Sequence, residues 1–534
     1  MHLSTMGRRK KYKKRKAVAK PIEPVQESVK KRVSRYMYIP FALALLLYAN
    51  TIGNDYVLDD ALAVLQNEHV QKGLSALPEI FTSNFLDGVG HFNDGLYRPL
   101  VVCTYALEHQ LAGNSPVLSH AVNILLYALC GLLLFLLLRA IFRDRTEFFS
   151  LAICLLFIAH PIHTEAVANI KGRDEILAFL SFTLSAFFLF RYIDRDKLQG
   201  LLLSLLFFIF ALLSKESAFT LALILPLMPW FFRDVGIRKV LGVFASFFAI
   251  ALLMWLWRSH VIHSMPNPVD SGIVSALNNS LLSTDSFSDR LATGLYMQVM
   301  YIGKMIFPHP LLHDYSYNQI PTIHLGSVPA IFSVFILGCI AFAVIKGFGK
   351  KRLFAFGMLF FFITLAATSN LFVFIGATFA ERFLFTPALG FSIAIIALFP
   401  GLMKARATTL QGVISANKLF SSLMMVLLVG YAVLTIDRNT DWKDNYRLFA
   451  ADMPYLRHSA RAHYNYGTAL FESAAEMKDG DEKKRIARRA ASELSKAVAI
   501  YPAYYDALNN LGNSYRSANM PDSAITVLKQ LIEQ

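Results

Sequence analysis

The sequence predicts an all-α protein, a polytopic bundle of helices that crosses the membrane many times, and three observations support this. The chain has 534 residues, of which 55% are hydrophobic and only 17% charged, and its mean hydropathy of +0.45 is far above that of a soluble protein. Its apolar residues occur in runs of about 17 to 25, the length that crosses roughly 30 Å of hydrocarbon. Every second connection between these runs is basic.

The apolar runs predict about eleven spans. We place them near residues 37–53, 117–138, 147–160, 175–192, 200–214, 218–232, 240–257, 328–345, 353–368, 383–400 and 419–436. The run 291–307 is interrupted by glycines and only moderately apolar, so hydropathy does not decide whether it crosses. We treat it as a segment that does not cross, because the basic connections then all fall on one side.

The basic connections set the predicted orientation. Residues 1–35 hold thirteen Lys or Arg and two Glu, a net +11 of the chain's +15. We interpret this segment as a cytoplasmic tail, in preference to a nucleic-acid or anionic-lipid site or a cleavable signal peptide. The later basic connections share its side; they are 139–145, 191–197, 233–239, 346–352 and 404–418. The N-terminus is then inside, and the transmembrane domain covers residues 36–437.

The tail at 438–534 is charged and helical, and this threading places it outside. Aligning Gly467 with Gly512 gives two tetratricopeptide (TPR) units, over 460–504 and 505–534. Two units are fewer than the three or so that a free-standing array needs. We therefore expect the tail either to pack on the membrane domain or to continue in a longer form of the chain.

The predicted external connections carry the ionisable residues. The external loop 54–116 contains Asp59, Asp60 and Arg98, and later connections contribute His160, His163, Glu165, Lys171, Arg173, Lys215, Glu381 and Arg382. Ionisable groups this close to hydrocarbon are costly and persist where they line a polar cavity. We treat them all as candidate site residues.

The chemistry of these residues leaves alternatives open. Asp59 or Asp60 would serve as a general base, or simply as a helix N-cap. The cations suit an anionic phosphate, and Arg173 and Arg382 are the strongest candidates. These two would also suit ion pairs, Arg173 with Asp174 and Arg382 with Glu381 or another acid. No cofactor is firmly predicted. A divalent metal at the HxxHxE pattern is not favoured, because a proline interrupts it and no third ligand has a fixed spacing. The four scattered cysteines predict neither disulfide nor metal site.

A base and several cations beside a bilayer fit one reaction well, the transfer of a sugar from a lipid-linked phosphate to a hydroxyl. A phosphate leaving group needs charge neutralisation more than a proton. A transporter should instead show hydropathy repeats and charges near mid-span, and a membrane-anchored scaffold would not need the external cluster. We prefer the transferase.

The chain resembles, over nearly its full length, the TMTC-like O-mannosyltransferases of the GT-C glycosyltransferase superfamily. The matching stretches include YVLDDALAV, HPIHTEAVANIKGRDEILA, HDYS, AERFLFTPALGF and RNTDWKDNYRLFAAD. The resemblance implies an enzyme that uses a polyprenyl- or dolichyl-phosphate sugar on the extracytoplasmic side. It assigns catalysis to an acid of the first external loop, Asp59 or Asp60, without choosing between them. It also implies phosphate binding by Arg98, Lys171, Arg173 and Arg382.

The resemblance also implies the substrates and the location. We expect an inverting transfer of a monosaccharide, with mannose favoured, to Ser or Thr hydroxyls of exported proteins, with the acceptor held by the TPR tail. The short tail favours a compact bacterial relative in the inner membrane, whereas a eukaryotic protein would lie in the endoplasmic reticulum. Membrane lipid is an expected partner and nucleic acid is not.

Overall fold

The computed structural model describes residues 34–265, 267, 274–399 and 418–533. Within these ranges the chain forms helices joined by turns and loops, with no strand, so the all-helical prediction is confirmed. The predicted basic run of residues 1–33 and the basic residues Lys404 and Arg406 lie outside the described residues.

Among the described residues, the chain from residue 38 to residue 397 contains fifteen α-helices. They are α1 Tyr38–Tyr48, α2 Glu68–Gln71, α3 Leu77–Thr82, α4 Pro99–Ala112, α5 Pro116–Ile141, α6 Glu147–Ile158, α7 Thr164–Ala168, α8 Arg173–Arg195, α9 Leu198–Ser214, α10 Leu221–Phe232, α11 Ile237–His263, α12 Phe287–Ile306, α13 Val328–Phe348, α14 Leu353–Leu365 and α15 Pro387–Ala397. Helices α2 to α4 belong to the predicted external loop 54–116.

Six further helices make up the C-terminal part. They are α16 Lys418–Asp441, α17 Asn445–Asp452, α18 Ala460–Ala475, α19 Asp481–Ile500, α20 Tyr505–Ser517 and α21 Pro521–Glu533. Helix α18 packs on α19, and α20 packs on α21. A Cβ on Gly467 would lie 2.7 Å from Leu494, and one on Gly512 would lie 2.7 Å from Leu528. The two pairs thus place equivalent glycines at equivalent close contacts, although the TPR assignment itself stays a prediction.

Five of the described helices are long and apolar enough to cross a membrane: α5, α8, α11, α13 and α16. Helices α6 and α7, bent by 51° where His160 and Pro161 interrupt them, would together make a sixth. The apolar helices α9, α10, α14 and α15 are shorter. These findings agree with an integral membrane protein. The count of eleven spans stays a prediction, because six of the predicted runs form helices too short to qualify on their own: α1, α6, α9, α10, α14 and α15.

Helix α8 is central to the bundle and begins at the candidate site. It packs lengthwise against α5 and α9. The Ser185 hydroxyl donates to the Ser204 carbonyl at 2.7 Å, and the Ser204 hydroxyl donates back to the Ser185 carbonyl at 2.7 Å. Small residues with such bonds let membrane helices approach closely. This packing fixes the position of the α8 N-terminus.

Loops predicted to lie inside meet one another at one end of the bundle. Asp194, at the end of α8, pairs with Arg143 at 3.3 Å and with Arg233 at 2.7 Å. Lys239 pairs with Asp196 at 2.5 Å. Three connections predicted on one side are therefore joined by ion pairs, as the threading requires.

The C-terminal helices pack on connections predicted to lie outside. The Asp55 amide donates to the Lys443 carbonyl at 2.9 Å, and the Leu58 amide donates to Asn445 Oδ1 at 2.8 Å. The Asn318 amide donates to the His458 carbonyl at 2.9 Å. Of the two expectations for the tail, packing on the membrane domain is therefore the one seen in the structure.

Candidate functional site

A cavity of about 650 Å³ lies where the predicted external loops and the C-terminal helices meet. Six carboxylates line it: Asp59, Asp94, Glu165, Asp174, Glu216 and Asp314. Six cations also line it: Arg98, Lys171, Lys215, Arg258, Arg382 and Arg461. Leucines and Trp255 complete its apolar walls. Such a mixture of charge and apolar surface suits a ligand that is partly charged and partly lipid.

Asp59 and Lys171 form an ion pair in the lining of this cavity. Lys171 Nζ lies 2.5 Å from Asp59 Oδ2, and the Asp59 side chain keeps 48% of its surface exposed. The Lys171 ammonium holds the pKa of the Asp59 carboxyl below its usual range, and Arg461 and Arg382 add to this effect. Asp59 is therefore an ionised carboxylate accessible from the cavity.

Asp60 has a different environment, fully buried and outside the cavity lining. Its Oδ2 accepts the amides of Val57 at 3.1 Å and Ile170 at 3.2 Å, and its Oδ1 accepts the Lys171 amide at 2.7 Å. Burial raises the pKa of the Asp60 carboxyl to about 7, against the three amides, which favour the ionised form. Asp60 occupies the N-cap position of the helical turn at Ala61–Leu65, but its side chain makes no capping hydrogen bond there. Its contacts instead tie the first external loop to the loop before α8.

The turn that carries Lys171 needs a glycine. The Gly172 amide donates to the Asn169 carbonyl at 3.1 Å and to Asn169 Oδ1 at 3.2 Å. A Cβ on Gly172 would lie only 2.4 Å from the Ala166 carbonyl oxygen, so a larger residue would force the turn open. This close approach keeps the backbone of residues 169–172 against α7 and Lys171 at the cavity.

Arg98 and Lys215 meet three carboxylates at the far side of the cavity. Arg98 Nη1 lies 2.5 Å from Asp174 Oδ2, and its Nη2 lies 2.8 Å from Glu216 Oε2. Lys215 Nζ lies 2.9 Å from Asp174 Oδ2 and 3.0 Å from Glu175 Oε1. Both cations are already neutralised, so a phosphate would have to displace a carboxylate to bind them.

Arg173 does not reach the cavity and is fully buried. Its guanidinium pairs with Glu108 and donates from Nε to Asn123 Oδ1 at 2.7 Å, from Nη1 to Thr104 Oγ1 at 3.0 Å and from Nη2 to the Ser119 carbonyl at 3.0 Å. Its ion pair is with Glu108, not with the neighbouring Asp174 that the sequence suggests. These contacts join the start of α8 to α4 and α5, a structural role.

Arg382 reaches the cavity, and 38% of its side-chain surface is exposed. Its guanidinium pairs with Glu165, whose Oε2 also accepts the Arg382 amide at 2.8 Å. Of the two suggested ion pairs of Arg382, with Glu381 or with another acid, the structure has the second. Glu381 is buried outside the cavity lining, where it accepts the Tyr315 hydroxyl at 2.5 Å and the Leu312 amide at 2.8 Å. Burial raises the pKa of the Glu381 carboxyl to about 7.

The two histidines of HPIHTE are also buried away from the cavity. His160 accepts the Ile162 amide at Nδ1, 3.2 Å away, and its Nε2 lies 3.0 Å from the Met305 carbonyl. His163 packs among aromatic rings, 4.6 Å from those of Phe157 and Phe385. They do not converge on one point, and among the described residues no group of three or more His, Cys, Asp or Glu side chains is arranged to hold a metal ion.

Several residues that line the cavity were not predicted from the sequence. Asp94 lies in the first external loop, and burial raises the pKa of its carboxyl to about 6. Arg258 comes from the end of α11 and donates to the Gly95 carbonyl at 2.7 Å. Arg461 and Asn465 come from α18, in the C-terminal segment. The only signal for Arg258 was a cation at the outer end of an apolar run, and Arg461 sits in an ordinary charged helix.

Comparison with known proteins yields a consistent set of relatives. No protein-family model matches the chain. It is 27% identical to human protein O-mannosyl-transferase TMTC1 over 525 residues, which cover 88% of this chain and 56% of the relative. It is 26% identical to the mouse protein O-mannosyl-transferase TMTC4 over 80% of this chain and 63% of the relative. It is 25% identical to human protein O-mannosyl-transferase TMTC3 over 89% of this chain and 52% of the relative.

The resemblance to the TMTC-like O-mannosyltransferases is confirmed. The similarity covers the helical membrane part together with part of the C-terminal segment, since it extends over more than four fifths of the chain in TMTC1 and TMTC3. The chain spans about 52% to 63% of the length of these TMTC relatives.

Proposed function

We propose that this protein is a membrane glycosyltransferase that moves a monosaccharide, mannose by preference, from a polyprenyl- or dolichyl-phosphate donor to Ser or Thr hydroxyls of exported proteins. The observation that carries the proposal is the accessible Asp59 carboxylate beside Lys171 in a cavity with apolar walls. The names of the relatives, protein O-mannosyl-transferases, support the reaction class.

The chemical step needs one base and neutralisation of the leaving group. Asp59 accepts the proton of the acceptor hydroxyl while that oxygen attacks C1 of the sugar from the face opposite the phosphate. The bond between C1 and the phosphate oxygen breaks, and the electron pair leaves with the lipid phosphate. The configuration at C1 inverts. No acid is needed for departure, because cations stabilise the phosphate directly.

Asp59 is the better base of the two candidates. The carboxylate of Asp60 accepts hydrogen bonds from three backbone amides, and it is buried outside the cavity lining. Asp59 is partly exposed at the cavity wall, and its carboxylate pairs with the Lys171 side chain rather than with backbone amides. We assign Asp59 as the base and Asp60 as the residue that holds the loop.

Lys171 and Arg382 are the cations best placed for the donor phosphate. Each pairs with a carboxylate, Lys171 with Asp59 and Arg382 with Glu165, and each keeps part of its side chain exposed to the cavity. A phosphate that attracts Lys171 would release Asp59 from its ion pair and so raise the pKa of that carboxyl. The base would then become stronger only when the donor is bound. Arg98 and Lys215 would adjust to the phosphate at greater cost.

The position of the cavity supports the predicted orientation. Its charged residues come from connections predicted to be external, and the C-terminal helices pack on the same connections. We propose a cytoplasmic N-terminus, about eleven spans counted from the hydropathy, and an extracytoplasmic cavity and TPR tail. The tail would hold the acceptor protein. We propose no metal or nucleic-acid requirement.

The test is a comparison of exported proteins with and without the gene by mass spectrometry, followed by reconstitution. We expect a hexose of one mass to disappear from Ser or Thr sites when the gene is deleted. Purified protein in lipid vesicles should then transfer labelled mannose from polyprenyl-phosphate mannose to an affected peptide. An unchanged glycan profile combined with normal donor movement across vesicles would instead indicate a transporter, and unchanged exported proteins with lost complexes would indicate a scaffold.

A further inference from the structure

One cation of the cavity comes from the C-terminal segment. Arg461 lies in the first turn of α18 and lines the cavity together with Asn465, one helical turn later. Its Nη1 donates to Asn278 Oδ1 at 3.0 Å. Within the described ranges its guanidinium forms no ion pair with a carboxylate, in contrast to Arg98, Lys171, Lys215 and Arg382. An anion can therefore bind Arg461 without displacing a carboxylate.

The backbone around Arg461 is held firmly against the membrane part of the protein. The Ser459 hydroxyl donates to Asp314 Oδ2 at 2.6 Å and accepts the Ala462 amide at 3.0 Å. The Ala460 amide donates to the Tyr317 carbonyl at 2.7 Å. These bonds fix the start of α18 on the loop after α12, so the guanidinium is positioned before any ligand arrives.

Arg461 also acts on the same carboxylate as the other proposed phosphate ligands. The pKa of Asp59 is lowered chiefly by Lys171, and Arg461 and Arg382 contribute from two other segments of the chain. Cations from three segments thus act electrostatically on one carboxylate. A lipid phosphate bound in this cavity would be attracted by the same three cations.

We infer that Arg461 binds the phosphate of the lipid-linked sugar donor, so that the C-terminal segment completes the donor site. This inference rests on the proposed function and deepens it, since it gives the tail a part in donor binding as well as in acceptor binding. The planar guanidinium can present two parallel N–H groups to a phosphate. Asn278 occupies only one of its five.

The test measures binding of farnesyl phosphate, a soluble isoprenyl phosphate, to the purified full chain in detergent. We expect Arg461→Gln to weaken binding about 10- to 100-fold, the effect of losing a charge-assisted hydrogen bond. Arg461→Lys should weaken it less, roughly tenfold or below, because it keeps the charge and loses the two-pronged geometry. Binding of farnesol, which lacks the phosphate, should not change in either variant.

Arg457→Gln is the matched control. Arg457 precedes α18 by three residues, is exposed and does not line the cavity, so its loss should leave farnesyl phosphate binding unchanged. Equal affinity for inorganic phosphate and farnesyl phosphate in the unmodified protein would overturn the assignment to a lipid donor. If Arg461→Gln does not fold, Arg461→Lys supplies the same comparison.

The outcomes separate this inference from the proposed function. Unchanged farnesyl phosphate affinity in folded Arg461→Gln overturns the inference, even where mannose transfer is observed. A rise in the acceptor KM alone also overturns it and moves Arg461 to the acceptor site. If the affinity for farnesyl phosphate depends on Arg461 but the protein transfers no sugar, the result supports the phosphate site and refutes the transferase.

Discussion

Separate replacement of Asp59 and Asp60 by Asn distinguishes a catalytic carboxylate from a structural one. In Asp59→Asn the carboxylate that would accept the acceptor's proton becomes an amide with no basicity. Loss of a positioned base typically costs about 10² to 10⁴ in rate. The fold should tolerate the change, because the Asp59–Lys171 pair is partly exposed, at 48% and 23% of the two side chains, and such pairs contribute about 1 kcal/mol or less.

The expectation for Asp60→Asn is the reverse. Both oxygens of Asp60 accept backbone amides, from Val57 and Ile170 on one oxygen and from Lys171 on the other. An Asn side chain replaces one oxygen by an NH2 group, so at least one buried amide loses its acceptor in either orientation. A buried donor left without a partner costs about 1 to 3 kcal/mol. Asp60→Asn should therefore lower the free energy of unfolding by about that amount.

The assay combines transfer of labelled mannose from polyprenyl-phosphate mannose with thermal unfolding in the same detergent. Asp59→Asn should have the Tm of the unmodified protein and a much lower kcat. Asp60→Asn should have a lower Tm, and the fraction that stays folded should be more active than Asp59→Asn. Full activity in Asp59→Asn, or an inactive Asp60→Asn with unchanged Tm, would show that the assignment of base and loop anchor is reversed.

Three other predictions concern the cations and the orientation. Arg382→Lys should raise the KM for the lipid donor about tenfold, with little change in the KM for the acceptor. Arg173→Lys should instead lower Tm and leave the donor KM unchanged. The opposite pattern would place Arg173 at the phosphate. Lys171→Met removes the ammonium group that chiefly lowers the pKa of Asp59, so this pKa should rise. The acid limb of the pH profile of kcat/KM should therefore move to higher pH. An unmoved limb would exclude Asp59 as the titrating base. A reporter fused after Asp437 should be active only on the extracytoplasmic side, and a cytoplasmic signal would mean that one predicted span is misplaced.

The helical fold class was predictable because it depends on local composition, whereas the side of the chemistry stays a prediction. Long apolar runs form helices in a bilayer wherever they occur, and basic connections select one side of it. The bend between α6 and α7 follows from His160 and Pro161, which interrupt the helix. The lengths of the individual helices were less predictable, because helix ends depend on packing and on capping by distant loops.

The sequence by itself predicted that acids and cations from separate loops would gather, and Asp59, Lys171 and Arg382 do line one cavity. Only the tertiary structure decided which of them face the cavity. Asp59 and Asp60 are adjacent and chemically identical, yet amides from a loop more than a hundred residues later bury one and leave the other accessible. Arg173 is buried by Glu108, and Arg461 reaches the cavity because Ser459 bonds to Asp314. Whether a charged side chain is accessible from the cavity depends on contacts between segments distant in sequence, and local residue patterns do not predict those contacts.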